Sequence, residues 1–167
     1  MKPISELFPS LSSPKKVVIT THQKPDADAM GSSLALCQYL TKKGHTVTVI
    51  SPTNWAGWVS WMNGASAVIN YEKQKDKADS ILDNTELLFC LDFNAFHRTK
   101  SLAEKLAKVS CIKILIDHHQ EPDLPSFHFG VSDTSKSSTS EMIYDLIKEA
   151  GDLSLIDISK LLPRLIT

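Results

Sequence analysis

This chain of 167 residues lacks any apolar run of membrane-spanning length, any internal repeat and any low-complexity linker. Its start, MKPISELFPSLSSPKK, has neither the apolar core nor the cleavage-like site of a secretory signal, so a cytoplasmic protein without membrane contact is expected. Cysteine is scarce: Cys37, Cys90 and Cys111 form an odd set without CxxC spacing, which fits a reducing compartment. Cys90 and Cys111 sit in apolar runs and read as buried, inert thiols. Charge of one sign is missing too, since 18 basic and 19 acidic residues leave a net charge of -1. Broad phosphate-backbone binding by a basic surface is thereby excluded, and with it a long duplex as partner. Any nucleic-acid substrate should be small or held locally. With 42% hydrophobic and 22% charged residues, the composition is that of an ordinary globular domain rather than a disordered chain.

What is present is alternation. Ile4, Leu7, Phe8 and Leu11 recur at helical spacing, predicting a short amphipathic helix that Pro14 stops. VVIT (17–20) is a β-rich buried run, followed by a helix over 28–43 with Met30, Leu34, Cys37, Tyr39 and Leu40 inward and Gly44 closing it. TVTVI (46–50) is strand-like, then a brief VINY strand and a polar helix over 72–83 whose charges read as a solvated face. ELLFCLDF (86–93), a helix over 102–109 and CIKILID (111–117) continue the pattern. FHFGVSD reads as an edge strand, and the last helix, over 137–150, opens on Ser/Thr caps and closes at Gly151. The expected fold is α/β, a doubly wound, mainly parallel sheet of about five strands flanked by helices, in one domain spanning 1–167.

Two acid-and-histidine clusters follow strand-like runs. HQKPDADA places His22, Asp26 and Asp28 within seven residues, and IDHHQ places Asp117, His118 and His119 together. A solvated turn accounts for either cluster alone, but both lie just past strand ends, where open α/β sheets bind ligands. Mixed imidazole and carboxylate donors suit manganese, iron or cobalt, and manganese is the expected cofactor. A two-metal site needs ions about 3.5–4 Å apart and a shared carboxylate. Asp92, arriving from a neighbouring strand, is the candidate bridge. If the loop is extended, Asp26 and Asp28 project alike and each serves one ion. In an extended DHH segment side chains alternate, so His118 and His119 should not serve the same ion. One would be a ligand; the other would face substrate and hold a phosphate oxygen or protonate a leaving group. Asp117 either orients an imidazole or caps the strand end.

HQKPDADA, LDFNAFHR and IDHHQ, in this order and separation, resemble motifs I to III of the DHH phosphoesterase superfamily. The nearest subgroup is the nanoRNase or oligoribonuclease type that also dephosphorylates 3′-phosphoadenosine 5′-phosphate, and the resemblance runs from about Val17 to the end of the chain. It implies that His22 and Asp26 bind a first manganese ion and Asp28 a second. Asp92 would bridge the two ions, His118 would complete the second site, and His119 would contact the scissile phosphate. Asp92 and His119 would thus carry the catalysis, by in-line attack of a metal-bound hydroxide on a very short oligonucleotide or small nucleotide. Ser138, Thr139 and Ser140 match a small hydroxyl run at a helix start, where substrate contact and plain capping are both open. Arg98 matches a recurrent arginine after motif II, as a phosphate clamp or a surface ion pair.

The chain departs from the family pattern where a fourth motif, an aspartate in a TDTG-like segment, would complete the second site. No such segment occurs before the end at KLLPRLIT, and the family's glycine-rich second domain does not follow. The expectation is a DHH catalytic domain that is either a fragment or divergent at its end. Asp152 and Asp157 come too early to serve as that ligand, and Pro163 and Arg164 fit poorly in the strand expected there. Trp55, Trp58 and Trp61 fall at helical spacing; nucleobase stacking suits them, but a packing stripe suits them better. His45 and His128 are expected to face water, and His97 lies close enough to motif II to reach the cleft. Alternative functions are a pyrophosphatase or exopolyphosphatase and a non-catalytic nucleotide-binding module. A homodimer is open.

Overall fold

Seven strands form a single sheet in the computed structural model, which describes residues 1–155. They are β1 (Lys2–Pro3), β2 (Lys16–Thr20), β3 (Thr46–Ser51), β4 (Ile69–Asn70), β5 (Leu87–Leu91), β6 (Ile112–Asp117) and β7 (Phe129–Ser132). Four α-helices accompany them: α1 (Ala27–Lys42), α2 (Lys75–Asp83), α3 (Ala103–Lys108) and α4 (Thr139–Glu149). The order across the sheet is β1-β7-β6-β5-β2-β3-β4, and every pairing is parallel. The expected α/β class is therefore observed, with seven strands in place of about five. The two outermost strands are short: β4 is the expected brief VINY strand, and β1, also of two residues, is too short to show a period in the sequence. FHFGVSD is not an edge, because Lys2 and Pro3 pair outside it with Phe129 and Gly130. Pro3, which has no amide hydrogen, is tolerated at that outer margin.

The period of two divides the core. β5 sends Leu87, Phe89 and Leu91 to one face, with α1, α4 and the N-terminal segment, and Leu88 and Cys90 to the other, with α2 and α3. Helices on both faces make the sheet doubly wound. All five residues of β5 are buried, which is why LLFCL reads as a continuous apolar run. A side chain on Gly130 would stand 2.2 Å from the Leu115 carbonyl oxygen, so β7 needs glycine there to lie beside β6. The N-terminal amphipathic segment buries Ile4, Leu7 and Leu11 as expected, but as a 3-10 helix over Ile4–Ser12. Pro9 inside it blocks an α ladder.

The three tryptophans do not share a helical face. Only Gly57–Val59 is helical there, one 3-10 turn; Trp55 packs on the core while Trp58 and Trp61 are 63% and 59% exposed. Cys90 is fully buried, and burial raises all three thiols above their ordinary pKa, consistent with inert roles. Among the described residues no helix is long and apolar enough to cross a membrane. Asp157, Pro163 and Arg164 lie outside the described residues. Asp152 is engaged structurally, accepting the Tyr39 hydroxyl at 2.7 Å and pairing with Lys43 at 2.6 Å.

His128 is exposed as expected, but His45 is only 4% exposed, and its Nδ1 accepts the Lys15 amide hydrogen at 3.1 Å. Gly44 turns the chain so that His45 points under the start of β2 rather than outward. Burial first, then the charges of Lys43 and Lys15, lower its pKa below the ordinary 6.5, against the pull of Glu86. The neutral ring is therefore the native one, and protonation would put a hydrogen where the Lys15 amide donates. Its stabilising effect should be complete above about pH 6.5 and lost as pH falls through the lowered folded value. Denaturation of wild type and His45→Gln across pH 8 to 5 checks this: the gap between them should shrink on acidification, and a constant gap would contradict it.

Candidate metal centre

β2 and β5 are neighbours at the point where the chain winds to opposite sides of the sheet. At such a switch point the loops leaving adjacent strands diverge and open a crevice at the carboxyl edge. The loop after β2 carries HQKPDADA. Lys24 takes a left-handed backbone (φ 49), and Asp26 is extended and caps α1, its Oδ1 accepting the amides of Asp28 and Ala29 at 3.0 Å each. Asp26 Oδ2 remains for another partner. His22 Nδ1 lies 2.8 Å from the Gln23 carbonyl, which can only accept, so Nδ1 carries a hydrogen and Nε2 is the nitrogen turned into the crevice. That Nε2 faces Asp92 Oδ2 at 3.5 Å.

Asp92 follows β5 directly, 2% exposed and in a left-handed backbone (φ 64), with its amide donating to the Ile116 carbonyl at 3.1 Å. That conformation costs a non-glycine residue about 1–3 kcal/mol and points to a functional constraint. Its two oxygens face different ways. Oδ2 faces His22; Oδ1 lies 3.4 Å from His118 Nε2 and 3.9 Å from His119 Nδ1, and accepts the Thr139 hydroxyl at 2.9 Å. Burial alone would raise the Asp92 pKa, but the hydrogen bonds of His22 and Thr139 and the nearby imidazoles hold it below the ordinary value. Burial likewise would lower His22, and Asp92, the Gln23 carbonyl and Asp26 raise it instead.

β6 ends at Asp117, and the chain bends immediately after. The alternation expected of His118 and His119 ends with the strand: both rings turn toward Asp92, with centroids 4.8 Å apart. The open choice for Asp117 is resolved, because this fully buried carboxylate holds His119 Nδ1 at 2.7 Å. His118 Nδ1 faces the Lys136 carbonyl at 3.3 Å, which turns Nε2 inward toward Asp92 and Asp28 Oδ2, the latter 3.8 Å away.

Asp28 is not extended but lies in the first turn of α1. Both its oxygens meet the start of α4, accepting the Thr139 amide at 2.7 Å, the Ser140 amide at 2.8 Å and the Ser140 hydroxyl at 2.6 Å. Ser138 caps α4 by accepting the Glu141 amide at 3.1 Å. Thr139 is fully buried and donates its hydroxyl to Asp92, a contact that neither of the two readings left open for it, substrate contact or plain capping, names. Nothing in the Ser/Thr run itself reveals these long-range partners. Arg98 and His97 are exposed; the Arg98 carbonyl accepts the Gln23 amide at 3.0 Å, tying the segment after β5 to the loop after β2. Among the described residues Arg98 has no carboxylate partner.

His22, Asp26 and Asp92 form one group of converging donors, and Asp92, His118 and His119 a second, with ligand atoms within 4.8 Å of one another in each. Asp28 stands outside both groups, beside His118. Mixed nitrogen and oxygen donors around a shared carboxylate suit divalent cations such as manganese, iron or cobalt. Replacing Asp92 by Asn should therefore weaken manganese at both groups, by more than the roughly 10–100-fold that losing an outer partner costs. Calorimetric titration checks this, and loss at one group alone would contradict the sharing.

A structure of an exopolyphosphatase-related protein from Bacteroides fragilis superposes with a TM-score of 0.90 at 32% identity, covering 94% of this chain and 46% of that one. The chain thus spans about half the length of that relative. RecJ from Thermus thermophilus, solved in complex with Mn2+, shares the fold at 15% identity (TM-score 0.51; 89% of this chain, 20% of that one). An exonuclease RecJ bound to manganese does so at 15% identity as well (TM-score 0.54; 90% and 39%). Among proteins with curated descriptions none matches the chain. Residues 16–166 match the model of the DHH family, N-terminal domain, and the chain belongs to that family.

Proposed function

We propose that the chain is the metal-holding domain of a manganese-dependent phosphoesterase acting on very short oligonucleotides or small nucleotides, of the nanoRNase and 3′-phosphoadenosine 5′-phosphate phosphatase type. The observation that carries the reading is Asp92, buried and ionised, with one oxygen turned to each imidazole group. His22, Asp26 and Asp92 would hold the first cation, and Asp92, His118 and Asp28 the second. When bound, the cations supply Lewis-acid polarisation of a phosphoryl oxygen and activation of water at neutral pH.

The other roles belong to side chains of the protein. With Nδ1 held by Asp117, His119 presents Nε2 outward, where as the imidazolium it would donate to a phosphate oxygen or protonate the leaving oxygen. Exposed Arg98, joined to the loop after β2 through its carbonyl, would meet an outer phosphate. The balanced net charge of -1 favours a small substrate held by a few such contacts over a long strand.

An exopolyphosphatase-like or pyrophosphatase-like activity is favoured by a different observation, the 32% identical relative described as exopolyphosphatase-related. Product release from a dinucleotide, 3′-phosphoadenosine 5′-phosphate and pyrophosphate, assayed in parallel with manganese, separates the two. Nucleoside monophosphate from either nucleotide is expected, and hydrolysis of pyrophosphate alone would reverse the order. Nucleotide affinity without turnover of any of the three would make the domain a binding module.

A further inference from the structure

The first turn of α4 touches two of the acids that the proposed reading assigns to the second cation. Thr139 donates its hydroxyl to Asp92 Oδ1 at 2.9 Å and its amide to Asp28 Oδ2 at 2.7 Å. Ser140 donates its amide and hydroxyl to Asp28 Oδ1 at 2.8 and 2.6 Å. The Thr139 and Ser140 amides find in Asp28 the acceptor a helix start needs, but capping asks nothing of the two hydroxyls: Ser138 takes the Glu141 amide, and Glu141 returns to the Ser137 amide at 3.0 Å.

Counting lone pairs shows what the contacts do. A carboxylate oxygen accepts about two hydrogens. Asp28 Oδ1 takes two donors and is full; Oδ2 takes one, leaving a single lone pair on the oxygen that stands 3.8 Å from His118 Nε2. Asp92 Oδ1 takes one donor from Thr139, again leaving a single lone pair, on the oxygen 3.4 Å from His118 Nε2. The donors also prevent either carboxylate from rotating to offer both oxygens. We infer that Thr139 and Ser140 are positioning residues of the second half-site, restricting Asp92 and Asp28 to one coordinating lone pair each, aimed at the space before His118 Nε2. The inference rests on the two-cation reading. It places the Ser/Thr run beneath the metal site rather than against the substrate, and it assigns α4 the job of setting that site's geometry. No equivalent donor meets Asp92 Oδ2 among the described residues, so the first half-site does not depend on α4.

Thr139→Val removes the hydroxyl at nearly constant volume, and Thr139→Ser keeps it. Manganese titration by calorimetry, with electron paramagnetic resonance of the bound ions, gives a readout independent of turnover. Wild type should bind two ions with a spin-coupled spectrum. Thr139→Val should lose affinity roughly 10–100-fold at one site only, leaving a spectrum of isolated ions, and Thr139→Ser should restore the coupled form. If Thr139→Val does not fold, Ser140→Ala, which removes one of three donors to Asp28, is expected to show the same one-site loss. Unchanged binding in the folded variant, equal loss at both sites, or failure of Thr139→Ser to recover would overturn the inference alone. Wild type that binds no manganese would overturn the two-cation reading and the inference with it.

Discussion

A charged carboxylate buried at a sheet's switch point is the constraint that organises the rest of this protein. Asp92 is 2% exposed in a left-handed backbone, and an ionised group in that position is tolerated only with partners on every side. His22 comes from the loop after β2, His118 and His119 from the bend after β6, and Thr139 from α4. These come from three separate stretches of chain, after β2, β6 and β7. The parallel topology is what allows this, because all those strands end on one edge.

The loops at that edge are tied to one another and not only to Asp92. Gln23 bonds to the Arg98 carbonyl, the Asp133 amide to the Asp117 carbonyl, and Asp28 at the start of α1 to the start of α4. The N-termini of two helices thereby meet at one carboxylate, favourably placed for both dipoles. His119, fixed through buried Asp117, is the imidazole whose outer nitrogen stays uncommitted. The proposed phosphoester hydrolysis would use this set of donors with Asp92 as the shared acid and His119 as the presented imidazole.

Much of this is legible in the residues. The apolar runs 17–20, 46–50, 86–93 and 111–117 read as strands, and acids or imidazoles stand at or just after the ends of three of them, so convergence at one edge follows from a parallel sheet. β1 has only two residues and no period to read, which is why β7 passes for an edge. The alternation rule does not reach His118 and His119, because the strand stops at Asp117, one residue before the pair of imidazoles begins. Thr139 and Asp92 are 47 residues apart, and a helix-start hydroxyl gives no sign of a partner at such distance. His45 escapes the sequence for a related reason: a polar residue in a tight turn looks exposed until a neighbouring strand's amide is known to need an acceptor.

The most direct test is anomalous diffraction at the manganese absorption edge from crystals of the protein grown with manganese. The account predicts two peaks about 3.5–4 Å apart, one on each side of the Asp92 carboxylate, the first against His22 and Asp26 and the second against His118. A single peak remote from Asp92, or peaks elsewhere on the surface with none in this crevice, would contradict it.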